Sequence, residues 1–341
     1  MSAPLRHAQL TAVAYHLPEA TLTNDTLAHE FTDWSAQKIF DKTGIAERHL
    51  AAAGETASDL AFHAAEKLFA EHDIDRTGID FLILCTQAPD HLLPSSACIL
   101  QQRLGLSTSC GALDFNLGCS GFVYALAMAQ GLIEAGIRRQ VLILTADTYS
   151  KLINPRDRSV RTLFGDGAAA SIVTLGAAAP ALGPFVLGTD GSGADNLIVP
   201  AGGMRLARSA ATEVEREDAS GNWRSDNDLF MDGAEIVQFT LGAVPRTMQE
   251  LLSTAGKTLA DIDHVIFHQA NKFMLDALRR KIKIPEEKFV IEIDTVGNTV
   301  SSTIPIAIAR ARQSGRIRTG DLALLLGFGV GYSWAGTLAR L

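Results

Sequence analysis

The chain carries two copies of one framework, and this internal repeat limits its possible folds more than any other feature. Asp114–Cys119 (DFNLGC) and Ile293–Asn298 (IDTVGN) are both short strand-like segments that end in a glycine followed by Cys119 or Asn298. A helical stretch follows each and closes at Gly136 or Gly315, seventeen residues beyond Cys119 and Asn298 with no gap. Basic residues come next in both copies (Arg138 and Arg139; Arg316 and Arg318), then the apolar runs Val141–Leu144 and Leu322–Leu326. Upstream, Ser58–Glu71 followed by Ile79–Ala88 parallels Val244–Ala255 followed by Ile262–Ala270, with a one-residue gap. Each copy therefore reads as helix, turn, apolar strand and Gln-Ala loop, then a second strand–glycine–helix–strand unit.

The strands are short, continuous apolar runs, as expected where helices cover both faces of a sheet. After Cys119, Phe122, Leu126, Ala129 and Ile133 form one stripe at helical spacing. In the other copy Pro305 fits the first turn of a helix that begins near Ser302. The expected organisation is two similar α/β halves, residues 1–175 and 176–341. Between them, Gly183–Asp228 is rich in Gly, Ser, Asp and Asn and reads as a long connection of the kind that often serves as a lid.

Composition removes several function classes. The formal net charge of −8 argues against a general nucleic-acid surface. No apolar run approaches the ~18 residues that span a bilayer, and Met1–Leu10 lacks the blocks of a signal peptide, so the chain reads as cytoplasmic. The cysteines at 85, 98, 110 and 119 show no close pairing of the kind zinc sites use, so neither a metal nor a disulfide framework is expected. Cys85, inside the run Phe81–Cys85, reads as a small buried residue.

The repeat places Cys119 and Asn298 at equivalent strand-to-helix turns, facing a common seam. His268 ends an apolar strand thirty residues before Asn298, and Thr86 holds the similar place thirty-three before Cys119. A cysteine at a helix N-terminus feels the positive end of the macrodipole, which favours the reactive thiolate. Gly118 and Gly121 would leave room for a ligand beside it. His268 and Asn298 add a possible base and a hydrogen-bond donor from the other half. Taken singly, a buried cysteine, a strand-end histidine and a Gly-Asn pair are ordinary structural features. Their symmetric placement in a duplicated framework is what makes them a candidate site.

These residues also resemble a known family, the ketoacyl-(acyl carrier protein) synthase III group of thiolase-fold condensing enzymes. The resemblance covers nearly the whole chain and rests on Thr43-Gly-Ile45 with Glu47-Arg48, Leu117-Gly-Cys-Ser-Gly-Phe122, Phe164-Gly-Asp-Gly-Ala168, His268-Gln-Ala-Asn271, Gly297-Asn298-Thr299 and Gly327-Phe-Gly-Val-Gly331. It implies a layered α-β-α-β-α thiolase fold. It further implies Cys119 as nucleophile with His268 and Asn298 completing a triad, and backbone N–H groups of Cys119 and Val330 as an oxyanion hole. Acyl-CoA or acyl carrier protein would load Cys119, and a malonyl thioester would then lose carbon dioxide and attack the acyl group. No redox cofactor or metal is implied. Asn271 and Phe328 would face substrate, Phe328 as an apolar wall against a carboxylate, and Arg280 and Lys281 would dock the acidic carrier protein.

Several positions depart from the family pattern. Lys38 stands where a tryptophan stacks on the coenzyme A adenine, Lys42 replaces its companion arginine, and Arg158 keeps the second adenine-side arginine. Phe273 replaces a docking arginine, and Ala234 replaces an asparagine that contacts pantetheine. Leu93 stands where a phenylalanine from the partner subunit closes the acyl pocket, which implies a homodimer. These changes suggest a specialised member that prefers a carrier-protein donor. Two other readings are an acyltransferase that passes the acyl group from Cys119 to an alcohol or amine, and a non-catalytic acyl-binding protein. The second is disfavoured because Cys119, His268 and Asn298 are all present.

Overall fold

A computed structural model describes residues 7–341. Its first sheet contains β1 (His7–His16), β2 (Phe81–Cys85), β3 (Gly111–Phe115), β4 (Gln140–Asp147) and β5 (Gly167–Ala177), in the spatial order β1-β5-β4-β2-β3. The second contains β6 (Leu182–Thr189), β7 (His264–Phe267), β8 (Leu322–Gly329) and β9 (Ser333–Arg340), in the order β7-β8-β9-β6. The pairing rules match: β2 runs parallel to β4 as β7 does to β8, and the next two neighbours are antiparallel in both sheets.

Side chains alternate between the faces of each strand, and this alternation builds the layers. In the first sheet Leu82, Leu84, Leu142 and Leu144 face outward with Leu60, Ala64 and Leu68 of α1 (Ala57–His72). Ile83, Val141 and Ile143 face inward and share a core with Phe122, Leu126 and Ile133 of α2 (Gly121–Glu134). The same core receives Ile304 and Ile308 of α5 (Thr303–Gln313) and, from the second sheet, Ile266, Ala323 and Leu325. The outer face of that sheet, with Val265, Phe267, Leu324 and Leu326, packs on α3 (Gly233–Thr254) and α4 (Lys272–Ile282). The result is the layered α-β-α-β-α arrangement of the thiolase fold. All four members of the stripe expected after Cys119 are buried.

Two expectations need correction. The segment from Gly183 is not all connection, because Leu182–Thr189 forms β6 against β9. Its two glycines, its proline and its half-buried positions hid the period-2 signal. The long connection runs only from Thr189 to Leu229. Likewise, Ile293–Gly297 forms a turn rather than a strand. The counterpart of β3 is the preceding stretch, which makes one parallel bridge from Phe289 to Val265 and a bond from Val290 N–H to the Val265 carbonyl (3.0 Å).

Among the described residues no helix is long and apolar enough to cross a membrane.

Candidate active site

Both central helices begin at the seam, and neither uses its N-cap serine in the usual way. The Ser120 hydroxyl makes no bond to the first turn of α2; it meets the Ser333 hydroxyl of the other half at 2.7 Å. Ser302, at the start of α5, likewise contributes no side-chain cap and meets Thr145 of the first half at 2.9 Å. The first N–H groups of α2 thus lack a side-chain partner, and Cys119 lies just before them.

His268 follows β7, anchored by its backbone N–H to the Leu326 carbonyl (2.9 Å). Asn298 is fixed by a parallel bridge to Phe164, donating its N–H to Leu163 (2.9 Å) and accepting from Gly165 (3.0 Å). Gly297 at φ +75° permits that turn, and a Cβ there would meet Arg48 at 2.9 Å. Arg48 is itself fully buried, with its guanidinium on the Leu22 and Thr162 carbonyls and Asn24. Cys119, His268 and Asn298 are exposed by only 6%, 2% and 4%, and all line one cavity of about 210 Å³.

Asn271 and Phe328 line the same cavity, as do Phe164, Met231, Ile236 and Met274. Phe328 stands edge-on to His268, ring centres 5.6 Å apart. Asn271 caps α4 with its side-chain oxygen on Met274 N–H (2.8 Å). Asn298 Oδ1 accepts from Val300 N–H (3.0 Å), which orients its Nδ2 group away from that loop. Gly329 comes so close that a Cβ on it would stand 2.9 Å from Cys119 Sγ.

The electrostatics differ from the sequence expectation of a thiolate. Burial pushes the Cys119 thiol up to about 12, and the Asp147 carboxylate adds to the rise. The backbone N–H groups of Cys119 and Val330 oppose the rise. Burial therefore outweighs the helix terminus, and the group rests as the thiol at neutral pH. Gly118 and Gly121 also serve another purpose than ligand room: side chains there would collide with Gln87 Oε1 (2.5 Å) and Cys85 Sγ (2.2 Å). Cys85, the buried residue expected, donates to the Leu117 carbonyl (2.7 Å) beneath the nucleophile's loop. Burial lowers His268 to about 3, so its imidazole is neutral.

The remaining candidates lie outside the cavity. Lys38 and Lys42, on the helix Ala36–Thr43, place their ammonium groups 5.2 and 5.3 Å from the ring centre of Trp34. The Arg158 guanidinium lies 5.6 Å from the same ring. The sequence reading overlooked Trp34: an aromatic face is present four residues before Lys38, just ahead of the helix's N-cap Ser35. Ala234 is exposed in the first turn of α3, next to the cavity-lining Gly233. Leu93 is 82% exposed. Arg280 and Lys281 are exposed at the end of α4 without a salt bridge among the described residues, whereas Arg279 faces Asp276 (3.8 Å) and Glu286 (3.4 Å).

Asp147 and Thr303 were also overlooked, because nothing local marks either. Asp147 is fully buried at the end of β4 and accepts from Gln87 N–H (2.8 Å), Ser301 N–H (3.2 Å) and the Ser301 hydroxyl.

A buried thiol, a neutral imidazole and a side-chain amide meet at the seam of this duplicated fold, whose layers are those of the thiolase-fold condensing enzymes. The family model for 3-oxoacyl-[acyl-carrier-protein (ACP)] synthase III matches residues 113–191, and its C-terminal counterpart matches residues 252–341. The chain is 37% identical to beta-ketoacyl-[acyl-carrier-protein] synthase III of Caldanaerobacter subterraneus, over 95% of each chain. A solved 3-oxoacyl-(acyl-carrier-protein) synthase III is 56% identical and superposes with a TM-score of 0.97, covering 98% of this chain and 100% of that one. The priming beta-ketosynthase of the R1128 polyketide pathway is 29% identical with a TM-score of 0.86, covering 100% and 98%. The chain belongs to the 3-oxoacyl-[acyl-carrier-protein] synthase III family and is an acyltransferase.

Asp147 generates a prediction with a definite sign. Burial raises its carboxyl to about 7, against the hydrogen bonds from Ser301 and Gln87. The unfolded chain loses that proton near pH ~4 while the folded protein keeps it to about 7, so this group's contribution to stability falls as pH rises between those values. Asp147→Asn should therefore compare more favourably with the parent near pH 8.5 than near pH 5.5, by about 2 kcal/mol in urea unfolding. An equal difference at both pH values would contradict this.

Proposed function

We propose that Cys119 takes an acyl group from a coenzyme A or carrier-protein thioester and that the acyl-enzyme condenses with malonyl carrier protein in the cytoplasm. The observation that carries this reading is the shared cavity of Cys119, His268 and Asn298, fed by both halves. In the loading step sulfur bonds to the thioester carbonyl carbon, the carrier's C–S bond breaks, and the Cys119 proton leaves with the carrier thiol. The N–H groups of Cys119 and Val330, whose influence favours negative charge at the sulfur, serve the tetrahedral oxyanion.

In the second step the malonyl group releases carbon dioxide, and the enolate carbon attacks the acyl carbon. The Cys119–acyl bond breaks and the sulfur recovers a proton from solvent. Asn298 and His268 serve the enolate oxygen as neutral donors, and Phe328 gives the carboxylate an apolar neighbour, which disfavours its charged form. Acyl transfer to an alcohol or amine gains no support from the site, since no base titrating near neutrality lines the cavity among the described residues.

Asn271 lines the route with its amide nitrogen free of the cap, while Ala234 offers no polar group there. Arg280 and Lys281 give the carrier protein a basic landing point, and exposed Phe273 adds an apolar one. The protein works as a homodimer in this reading. Strand β3 is an unpaired edge of the first sheet with Leu113 partly exposed, and Leu92 and Leu93 stand out by 76% and 82%. Such an edge is a template for a second copy.

The division of labour is testable. Asn298→Ala should still load Cys119 in a single turnover, while condensation falls roughly a hundredfold or more, the effect of losing one oxyanion-type donor. Equal loss of both half-reactions would contradict the assignment.

Trp34 revises the donor expectation. With an aromatic face flanked by three cations, a coenzyme A donor has both a stacking surface and phosphate partners. Trp34→Ala should raise KM for acyl-CoA roughly 5- to 150-fold, the equivalent of ~1–3 kcal/mol of stacking, and leave acyl carrier protein nearly unaffected. Equal effects on the two donors would contradict this.

A further inference from the structure

The His268 ring is held at Nδ1 by one side chain. Thr303, the first residue of α5, places Oγ1 at 2.7 Å from Nδ1, and the same oxygen lies 3.2 Å from the Val300 carbonyl oxygen. A hydroxyl carries one proton and can donate to only one of these partners. Hydroxyl donors sit ~2.5–3.0 Å from their acceptors and cluster near 2.7–2.8 Å, whereas N–H donors cluster near 2.9–3.0 Å from oxygen. The shorter contact, to the ring, therefore fits Thr303 as donor to His268. The alternative would place an Nδ1–H donor at the short limit of its usual ~2.7–3.2 Å range and leave the hydroxyl donating to Val300 over 3.2 Å, beyond the usual hydroxyl distance. The first arrangement fits both distances better.

We propose that Thr303 is a positioning residue that donates to Nδ1 of His268 and thereby fixes the neutral Nε2–H tautomer of the catalytic imidazole. With Nδ1 occupied as an acceptor, the ring's only proton is on Nε2. His268 then acts as a donor without carrying a charge. Asn298 is fixed by the same short segment, since its Oδ1 accepts from Val300 N–H and leaves Nδ2 as its donor. Val300 sits at φ +56°, a left-handed conformation unusual for a β-branched residue. The surrounding packing maintains that strain, and Val300 is fully buried. One strained residue between Asn298 and Thr303 thus sets the orientation of one donor directly and stands beside the hydroxyl that sets the other. Burial keeps His268 neutral over the working pH range, so its tautomer rather than its charge is the variable to be fixed.

This inference rests on His268 and Asn298 serving the enolate, and its test separates the two ideas. Histidine-15N correlation spectra distinguish the tautomers in the resting protein without substrate, so the reading needs no activity. The parent protein should show the Nε2–H pattern for His268. Thr303→Val, which keeps the shape and removes the hydroxyl, should shift His268 toward Nδ1–H, with Thr303→Ala as the substitute if the valine variant fails to fold. Thr303→Ser should retain the parent pattern. Condensation should fall roughly tenfold or more in Thr303→Val, approaching the loss of one transition-state donor, while loading of Cys119 is unchanged and serine restores the rate. An Nδ1–H pattern in the parent, or an Nε2–H pattern that persists without the hydroxyl, would overturn the proposal. A tautomer shift without loss of condensation would instead overturn the role given to His268.

Discussion

The structure depends on hydroxyl contacts that join the two halves where the central helices begin. Ser120 bonds Ser333, Ser302 bonds Thr145, and Ser301 bonds Asp147, so each of three serines at a helix start reaches the opposite half. A serine beside a helix N-terminus would ordinarily cap its own first turn. Here the serine hydroxyls turn across the seam instead, which fixes the turn that carries Cys119 and the loop that carries Asn298, while the first N–H groups of α2 bond backbone carbonyls, Gly121 to Gly118 (2.8 Å) and Val123 to Ser120 (3.1 Å). These contacts are buried, where an unpaired hydroxyl costs about 1–3 kcal/mol, so the seam tolerates little misalignment. Catalytic geometry and half-to-half assembly are therefore one constraint.

The site holds little charge at rest. Cys119 is a thiol, His268 is neutral, and Asp147 below them titrates near 7. Burial dominates all three. A site of this kind works through fixed donors aimed at charge that develops during reaction, not through ions present beforehand. In the function proposed, the backbone N–H groups at Cys119 and Val330, the Asn298 amide and the His268 ring supply such donors. His268 and Val330 follow strands, Cys119 lies just before a helix, and Asn298 is pinned by its bridge to Phe164.

Much of this was legible in the sequence because duplication makes position informative. The repeat located Cys119 and Asn298 at equivalent turns, and the apolar runs located β2, β4, β7 and β8, although the strand expected before Asn298 is a turn. Strand β6 was missed because Gly183, Pro184 and Gly188 imitate a loop, and its pairing depends on β9, at the far end of the second half. The thiolate expectation failed because helix position is local and readable, whereas burial depends on the whole fold. Trp34 lay four residues from the expected position, where a positional match to the family pattern does not look. Asp147 and Thr303 act across the seam, and a contact between distant segments leaves no local spacing to read.

The central claim is that Cys119 carries the acyl group. Intact mass after incubation with an acyl-CoA, followed by peptide mapping, tests it most directly. The account predicts one acyl adduct per chain on Cys119, absent in Cys119→Ala and discharged by malonyl carrier protein to a 3-oxoacyl product. An adduct on Cys85, Cys98 or Cys110 with activity surviving in Cys119→Ala would contradict it.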